Sequence, residues 1–353
     1  MLSFFPGMYA QGEKAASTTD SSAILNQILE TGYLLAATGK YEDAHAYFVY
    51  VLRDTSTLQI CNNAGIVAVM DALNYFRPTE PEVKFHYPVE LDTKSVGTRD
   101  LKDFSEIRSE KLREAIGHFD AAIHLDTGYA PAYLNKACAY ALLNKTGLAD
   151  TLAQTAQATA SKPGYEETAI GVQVLLGILH AREGDSLMAL KAFKDAVKKG
   201  SSLAEDNLNI LKGLPVEKPN TTLQPGDTET IDDIALNDPY NIPDPGKRVA
   251  VIKPEIRLYC NLHPGPNSIF YFNDNKPSNE QNYFLLTRPD YPGQTAGKLK
   301  LGATLSEIEA VYKKPLRKIR TRGGEIWVYT SIILMLGEDG KLSRWAIYGE
   351  DHP

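Results

Sequence analysis

The feature that most constrains this chain is a spacing of small residues that occurs twice. In Gly164–Lys198, small Gly177, Gly184, Ala189 and Ala196 sit among the larger His180 and Phe193. The same steps separate Gly32, Gly39, Ala44 and Phe48 in Leu25–Asp54, with Tyr41 in the turn that runs from Gly39 to Ala44. Small residues where two helices touch, and bulky ones where they interlock, define a helix pair that cannot bury its apolar face alone, so pairs must stack. Two looser copies lie between. One is Tyr129–Ser161, with Tyr133, Ala137, Tyr140 and Ala149; the other is split, its first helix Leu58–Phe76 and its second Ser109–Leu125, with Ala115, Phe119 and Ala122. The interruption, about 77–104, carries Pro78, Pro81, Pro88 and a strand-like stretch from Val83 to Tyr87, and reads as an ordered excursion on one rim that offers a partner contact. Ser202–Leu211 is expected to close the stack with a capping helix.

This pattern resembles the tetratricopeptide repeat (TPR) over about residues 23–212, as four repeats with the insert and the cap. The resemblance implies an α-helical solenoid that holds a protein or peptide in a concave groove. It places Tyr33, Asn62, Asn63, Ile66, Met70, Asn135, Ile178 and Arg182 on or near that groove, with Leu134, Cys138, Leu142 and Val174 beside them. Asn63 and Asn135 fall where asparagines of peptide-binding TPR domains hydrogen-bond a ligand backbone; the ordinary alternative is a helix–helix hydrogen bond. A clamp for chaperone-tail carboxylates is not expected. It needs cations flanking an asparagine, and Leu29 and Tyr33 stand where the first repeat should supply Lys and Asn, Pro131 and Asn135 where the third should supply Lys and Arg.

Residues 213–246 shift to Pro, Thr, Asn and Asp and read as a Pro- and acid-rich linker, in which Ile231–Leu236 is apolar enough to dock on either neighbour. Residues 247–353 alternate strand-like runs with one helix, giving a small α+β domain with an antiparallel sheet. The strands expected are Val249–Ile252, Ile256–Cys260, Ser268–Asn273, Tyr283–Thr287, Ile326–Thr330, Ile332–Gly337 and Ser343–Tyr348. A capping box from Thr304 to Glu307 starts the helix and Pro315 ends it. The passage Leu299–Pro315, followed by strands with Trp327 and Trp345, is similar to the SmpA/OmlA-type domain of outer-membrane assembly lipoproteins, although Lys313 and Lys314 replace the glycine usual before the closing proline. The similarity implies a role in a membrane-associated assembly.

Charge divides the same way: the net charge of −7 combines an acidic 1–245 with a basic 246–353. Lys313, Lys314, Arg317, Lys318, Arg320 and Arg322 form a candidate polyanion patch; the alternative is a solvated strand-turn face. No aromatic residues interleave them, so nucleic acid is not an expected partner. Cys61, Cys138 and Cys260 are too few and too scattered for a disulfide framework or metal site, and His45, His118, His124 and His180 read as packed or solvated side chains on repeat helices. Neither a zinc-protease motif, a phosphate loop nor a serine elbow is present, so neither catalytic residue nor cofactor is expected. No apolar run is long enough to span a bilayer. Residues 1–22 read as a residual signal segment and loose terminus, because Met1–Gln11 resembles the end of a secretory signal; the expected location is periplasmic or otherwise exported, with the cytoplasm as alternative. The function expected is a non-catalytic interaction scaffold or assembly factor, with a bacterial cell envelope as one setting for it. The alternative is a hydrolase-like or ligand-binding C-terminal domain with a cleft lined by Tyr259, Tyr271, Tyr283, Trp327 and Tyr329, to which the repeats recruit substrate.

Overall fold

The computed structural model describes residues 29–53, 55–89, 104–216, 229–236, 250–253, 258–262, 268–273, 281–321 and 323–348. The chain separates into two compact units, one of residues 41–218 and one that joins residues 1–40 to 219–353. The termini of the expected solenoid therefore fall on different sides of the division: its first helix, α1 (29–37), belongs with the sheet.

The helical unit contains α2 (Tyr41–Leu52), α3 (Leu58–Leu73), α4 (Ser105–Leu125), α5 (Ala130–Leu142), α6 (Thr146–Thr159), α7 (Glu166–Arg182), α8 (Ser186–Lys198) and α9 (Ser202–Lys212). The helices pack as pairs α3–α4, α5–α6 and α7–α8, with α9 against α8. Each pair is sealed at the same place. Ala115, Phe119 and Ala122 of α4 are buried, as are Ala149, Ala153 and Ala156 of α6 and Ala189, Phe193 and Ala196 of α8. Opposite Phe119 and Phe193 stand Gly65 and Gly177 in the first helices. Thr57 and Asp185 cap α3 and α8, Ser201 caps α9, and Gly213 ends α9 in the left-handed conformation that glycine tolerates best. The repeat is thus a TPR-like array of helix pairs.

The second unit is built on one eight-stranded antiparallel sheet of order β1-β2-β3-β4-β8-β7-β6-β5. Its strands are β1 (Ala250–Lys253), β2 (Leu258–Leu262), β3 (Ser268–Asn273), β4 (Gln281–Thr287), β5 (Arg317–Thr321), β6 (Gly324–Val328), β7 (Ile332–Leu336) and β8 (Leu342–Tyr348). Two four-strand meanders meet where Phe284, Leu285 and Leu286 pair with Tyr348, Ile347 and Ala346. Helix α10 (Leu305–Tyr312) lies between them in sequence and starts at the Thr304–Glu307 capping box. Strand β5 is not among the strands read from sequence: its charges hide a segment in which Ile319 supplies the buried apolar side chain.

One sheet face carries Leu285, Trp327, Leu334, Trp345 and Ile347, which share a core with Ile308 and Tyr312 of α10 and with Ile231, Ile234 and Leu236. Residues 229–236 are therefore part of this unit rather than free linker. Ile231 and Ile234 close a tight bridge, and Glu229 accepts hydrogen bonds from Tyr312 Oη (2.7 Å) and the Ala296 N–H (2.7 Å). The opposite face bears Arg344 and Arg317, which reach α1: Arg344 Nη1 donates to Glu30 Oε1 at 2.5 Å and Arg317 Nη1 to the Ala36 carbonyl at 3.2 Å. Alternation along the strands puts these arginines on the side away from Trp345 and Trp327, so α1 and α10 flank the sheet from opposite sides. The secretory-like start, and the side chains of Cys260, Tyr259, Tyr271 and Tyr283, lie outside the described residues.

Candidate functional site

The first helices of the pairs form the face on which a bound segment was expected. Asn62, Asn63, Ile66, Met70, Asn135 and Ile178 all lie there, and all are buried. Asn135 Nδ2 donates to Asn62 Oδ1 at 3.0 Å, so these two amides join α3 to α5. The corresponding expectation of an open apolar groove is revised: over α5, α7 and α9 the face is covered by the chain's own insert.

Residues 81–89 make the cover. Pro81–Val83 form one 3-10 turn, after which Phe85, Tyr87 and Val89 are buried while His86 and Pro88 between them are partly exposed. That alternation is the side-chain period of an extended strand, although the segment joins no sheet ladder. Its backbone is satisfied by a side chain instead. Asn207 of α9, itself fully buried, accepts from the His86 N–H and donates through Nδ2 to the His86 carbonyl, both at 2.8 Å. An amide side chain supplies to residue 86 the donor and acceptor that a neighbouring strand would have supplied.

Arg182, at the end of α7, secures the next position. Its Nη1 donates to Tyr87 Oη at 3.1 Å and to the Ala141 carbonyl at 2.6 Å, and its Nη2 donates to Asn144 Oδ1 at 2.8 Å. Glu82 stands 3.6 Å from the same guanidinium, which is only 8% exposed, so the charge is paired within the insert that it holds. Burial drives the Tyr87 phenol well above its usual range, against the opposing influence of Arg182, so the phenol stays neutral. Phe85 lies 6.0 Å ring to ring from Phe193, and Pro88 packs beside Gly171, where an added Cβ would come 3.4 Å from Pro88 Cβ and 2.7 Å from Leu134 Cδ2.

The insert is accordingly no rim excursion, at least through Val89; residues 90–103 lie outside the described residues. Sequence reading singled out Arg182 but missed Asn207, whose partner is 121 residues away. The apolar–polar alternation from Phe85 to Val89 was the available signal. Tyr33 of α1, half-buried, belongs to the other unit.

Two other expectations change. The basic run does not form one described patch: Arg317 points to α1, Lys318 Nζ sits 3.7 Å from the Trp327 ring centroid, and Lys313 Nζ donates to the Ala310 carbonyl. The side chain of Arg320 and all of Arg322 lie outside the described residues. Trp327 and Tyr329, expected to line a cleft, are buried in the core. His45 and His118, conversely, converge: their Nε2 atoms lie 3.1 Å apart, with Glu114 Oε1 3.7 Å from His45 Nε2. Burial, and then the neighbouring His45, push the His118 pKa down to about 4, so its imidazole is neutral. These three side chains could hold a metal ion. Among the described residues no helix is long and apolar enough to cross a membrane.

Fold and site together define a helix-pair repeat protein, TPR-like in its packing, with an antiparallel-sheet unit and a groove occupied by its own extended segment. No protein-family model matches the chain, and no curated protein matches it. Among solved structures it is similar to a thermophilic TPR protein of Thermus thermophilus, at 18% identity and a TM-score of 0.31, over 53% of this chain and 98% of that one.

Proposed function

We propose that this chain is a non-catalytic interaction scaffold whose helix-lined groove takes an extended peptide segment, and that residues 81–89 are the resident occupant. The observation that carries this reading is the two-point grip of Asn207 on the backbone of His86. A grip on backbone is indifferent to side-chain identity, so any extended segment with an aromatic residue for the Phe85 or Tyr87 position meets the same donors and acceptors. A partner segment binds by replacing the insert, and the insert sets the threshold it must overcome. The similarity of Leu299–Pro315 to the SmpA/OmlA-type domain supports placing this exchange in an assembly at the bacterial envelope, where an exported chain would work.

The test replaces residues 78–104 by a Gly/Ser linker and titrates the variant with a fluorescent peptide of residues 80–89, read by anisotropy. Saturable binding is expected, weakened at least about tenfold by Asn207→Ala through the loss of a pair of neutral hydrogen bonds. A correctly folded variant that ignores the peptide would reduce the insert to ordinary packing and remove the reading.

A further inference from the structure

We propose that His45, Glu114 and His118 form a binding site for one divalent transition-metal ion of the zinc class, clasping α2 to α4.

Three side chains from two helices converge here without any requirement of the repeat. Glu114 and His118 are four residues apart on α4, hence on the same helix face, and His45 meets them from α2. All three ligand atoms lie within 4.8 Å of one another. Ligands about 2.0–2.1 Å from a tetrahedral ion stand about 3.3–3.4 Å from each other. The observed separations of 3.1 Å between the two Nε2 atoms and 3.7 Å from His45 Nε2 to Glu114 Oε1 bracket that value. Glu114 is 49% exposed and free to rotate its carboxylate inward, whereas the His45 side chain is 15% exposed and already set.

Without an ion, an Nε2-to-Nε2 approach of this length needs one bridging hydrogen. Moving that hydrogen to an Nδ1 leaves both rings neutral and turns two lone pairs toward one point. Two imidazoles and one carboxylate suit zinc, cobalt or nickel; magnesium and calcium prefer oxygen alone. Three protein ligands leave a fourth position on the Glu114 side, open to water. The ion would tie α2 to the helix that follows the insert, and so fix the register of the chain on either side of it.

The probe is zinc itself. The full-length chain, stripped with chelator and kept in excess magnesium, is titrated with Zn²⁺ against a competing chelator, and with Co²⁺ for its visible spectrum. One ion per chain and an intense tetrahedral Co²⁺ spectrum are expected. Glu114→Gln, an exposed change that leaves folding intact, should weaken binding by about 10-fold or more. His45→Asn should abolish it, with circular dichroism showing retained helix, and His124→Ala should leave it unchanged. Zinc uptake that is absent, or equal in Glu114→Gln and His45→Asn to that of the unaltered chain, would overturn the proposal.

Discussion

Gly177 of α7 gives up its side chain to Phe193 of α8: a Cβ at Gly177 would lie 2.5 Å from Cε1 of that ring. Gly65 stands in the same relation to Phe119 two repeats earlier, in the split pair. The bulky ring and the missing Cβ are two halves of one contact, repeated wherever a pair closes tightly. At the matching positions of the repeat between them, α5 carries Ala137 and α6 carries Ala153, both buried.

The contact predicts a compensating pair. Gly177→Ala should destabilise the helical unit by about 1–3 kcal/mol through overpacking, because the added carbon meets an aromatic ring rather than a flexible tip. Adding Phe193→Leu should recover part of that loss. Gly117→Ala is the control: an added Cβ meets nothing within 4 Å, so helix propensity alone applies and stability should rise by about 0.5–1 kcal/mol. Urea denaturation followed by circular dichroism distinguishes the three.

What the sequence made legible was local. The Gly–Phe spacing, the Thr304–Glu307 capping box and the strand runs Ile332–Gly337 and Ser343–Tyr348 each lie within one turn, one strand or one helix pair, so periodicity and capping chemistry expose them. What it concealed needed contacts between distant positions. His45 and His118 are 73 residues apart, and nothing in either helix alone sets them face to face. Asn62, Asn63 and Asn135 could be assigned to the first-helix face, but periodicity cannot say what covers a face. Strand β5 was hidden because its cations made it look solvated, while Lys318 spends its charge on the Trp327 ring and Arg317 on α1.

Glu229 predicts a pH dependence of the sheet unit. Burial raises its pKa above the usual glutamate value of about 4.3, outweighing the hydrogen bonds from the Ala296 N–H and Tyr312 Oη that act to lower it. The native state then holds the proton to higher pH than the unfolded chain does. This contribution to stability therefore decreases as pH rises through the window between those two values. Trp327 and Trp345, both buried in that core, are the chain's two tryptophans, so their fluorescence reports this unit. Stability of the unaltered chain minus that of Glu229→Gln should fall as pH rises above the usual glutamate value and then level off. A rise would mean that the two donors stabilise the carboxylate more than burial penalises it.

Arg344 predicts that the sheet depends on the N-terminal helix. Its Nε donates to the Thr287 carbonyl at 2.9 Å and its Nη1 to Glu30, so one guanidinium joins β8, β4 and α1. Both partners of the ion pair are partly shielded, at 14% and 27% exposure, which keeps the bond stronger than a surface pair. Arg344→Ala should lower the stability read from tryptophan fluorescence by about 1.5–3 kcal/mol, since it strands the Glu30 carboxylate as well as the Thr287 carbonyl. Glu30→Gln, which keeps an acceptor in place, should cost less. Removing residues 1–40 should cost more than either point change, because Arg317 loses the Ala36 carbonyl at the same time. If the truncated chain unfolds at the same urea concentration as the intact one, α1 contributes nothing to the stability of the sheet.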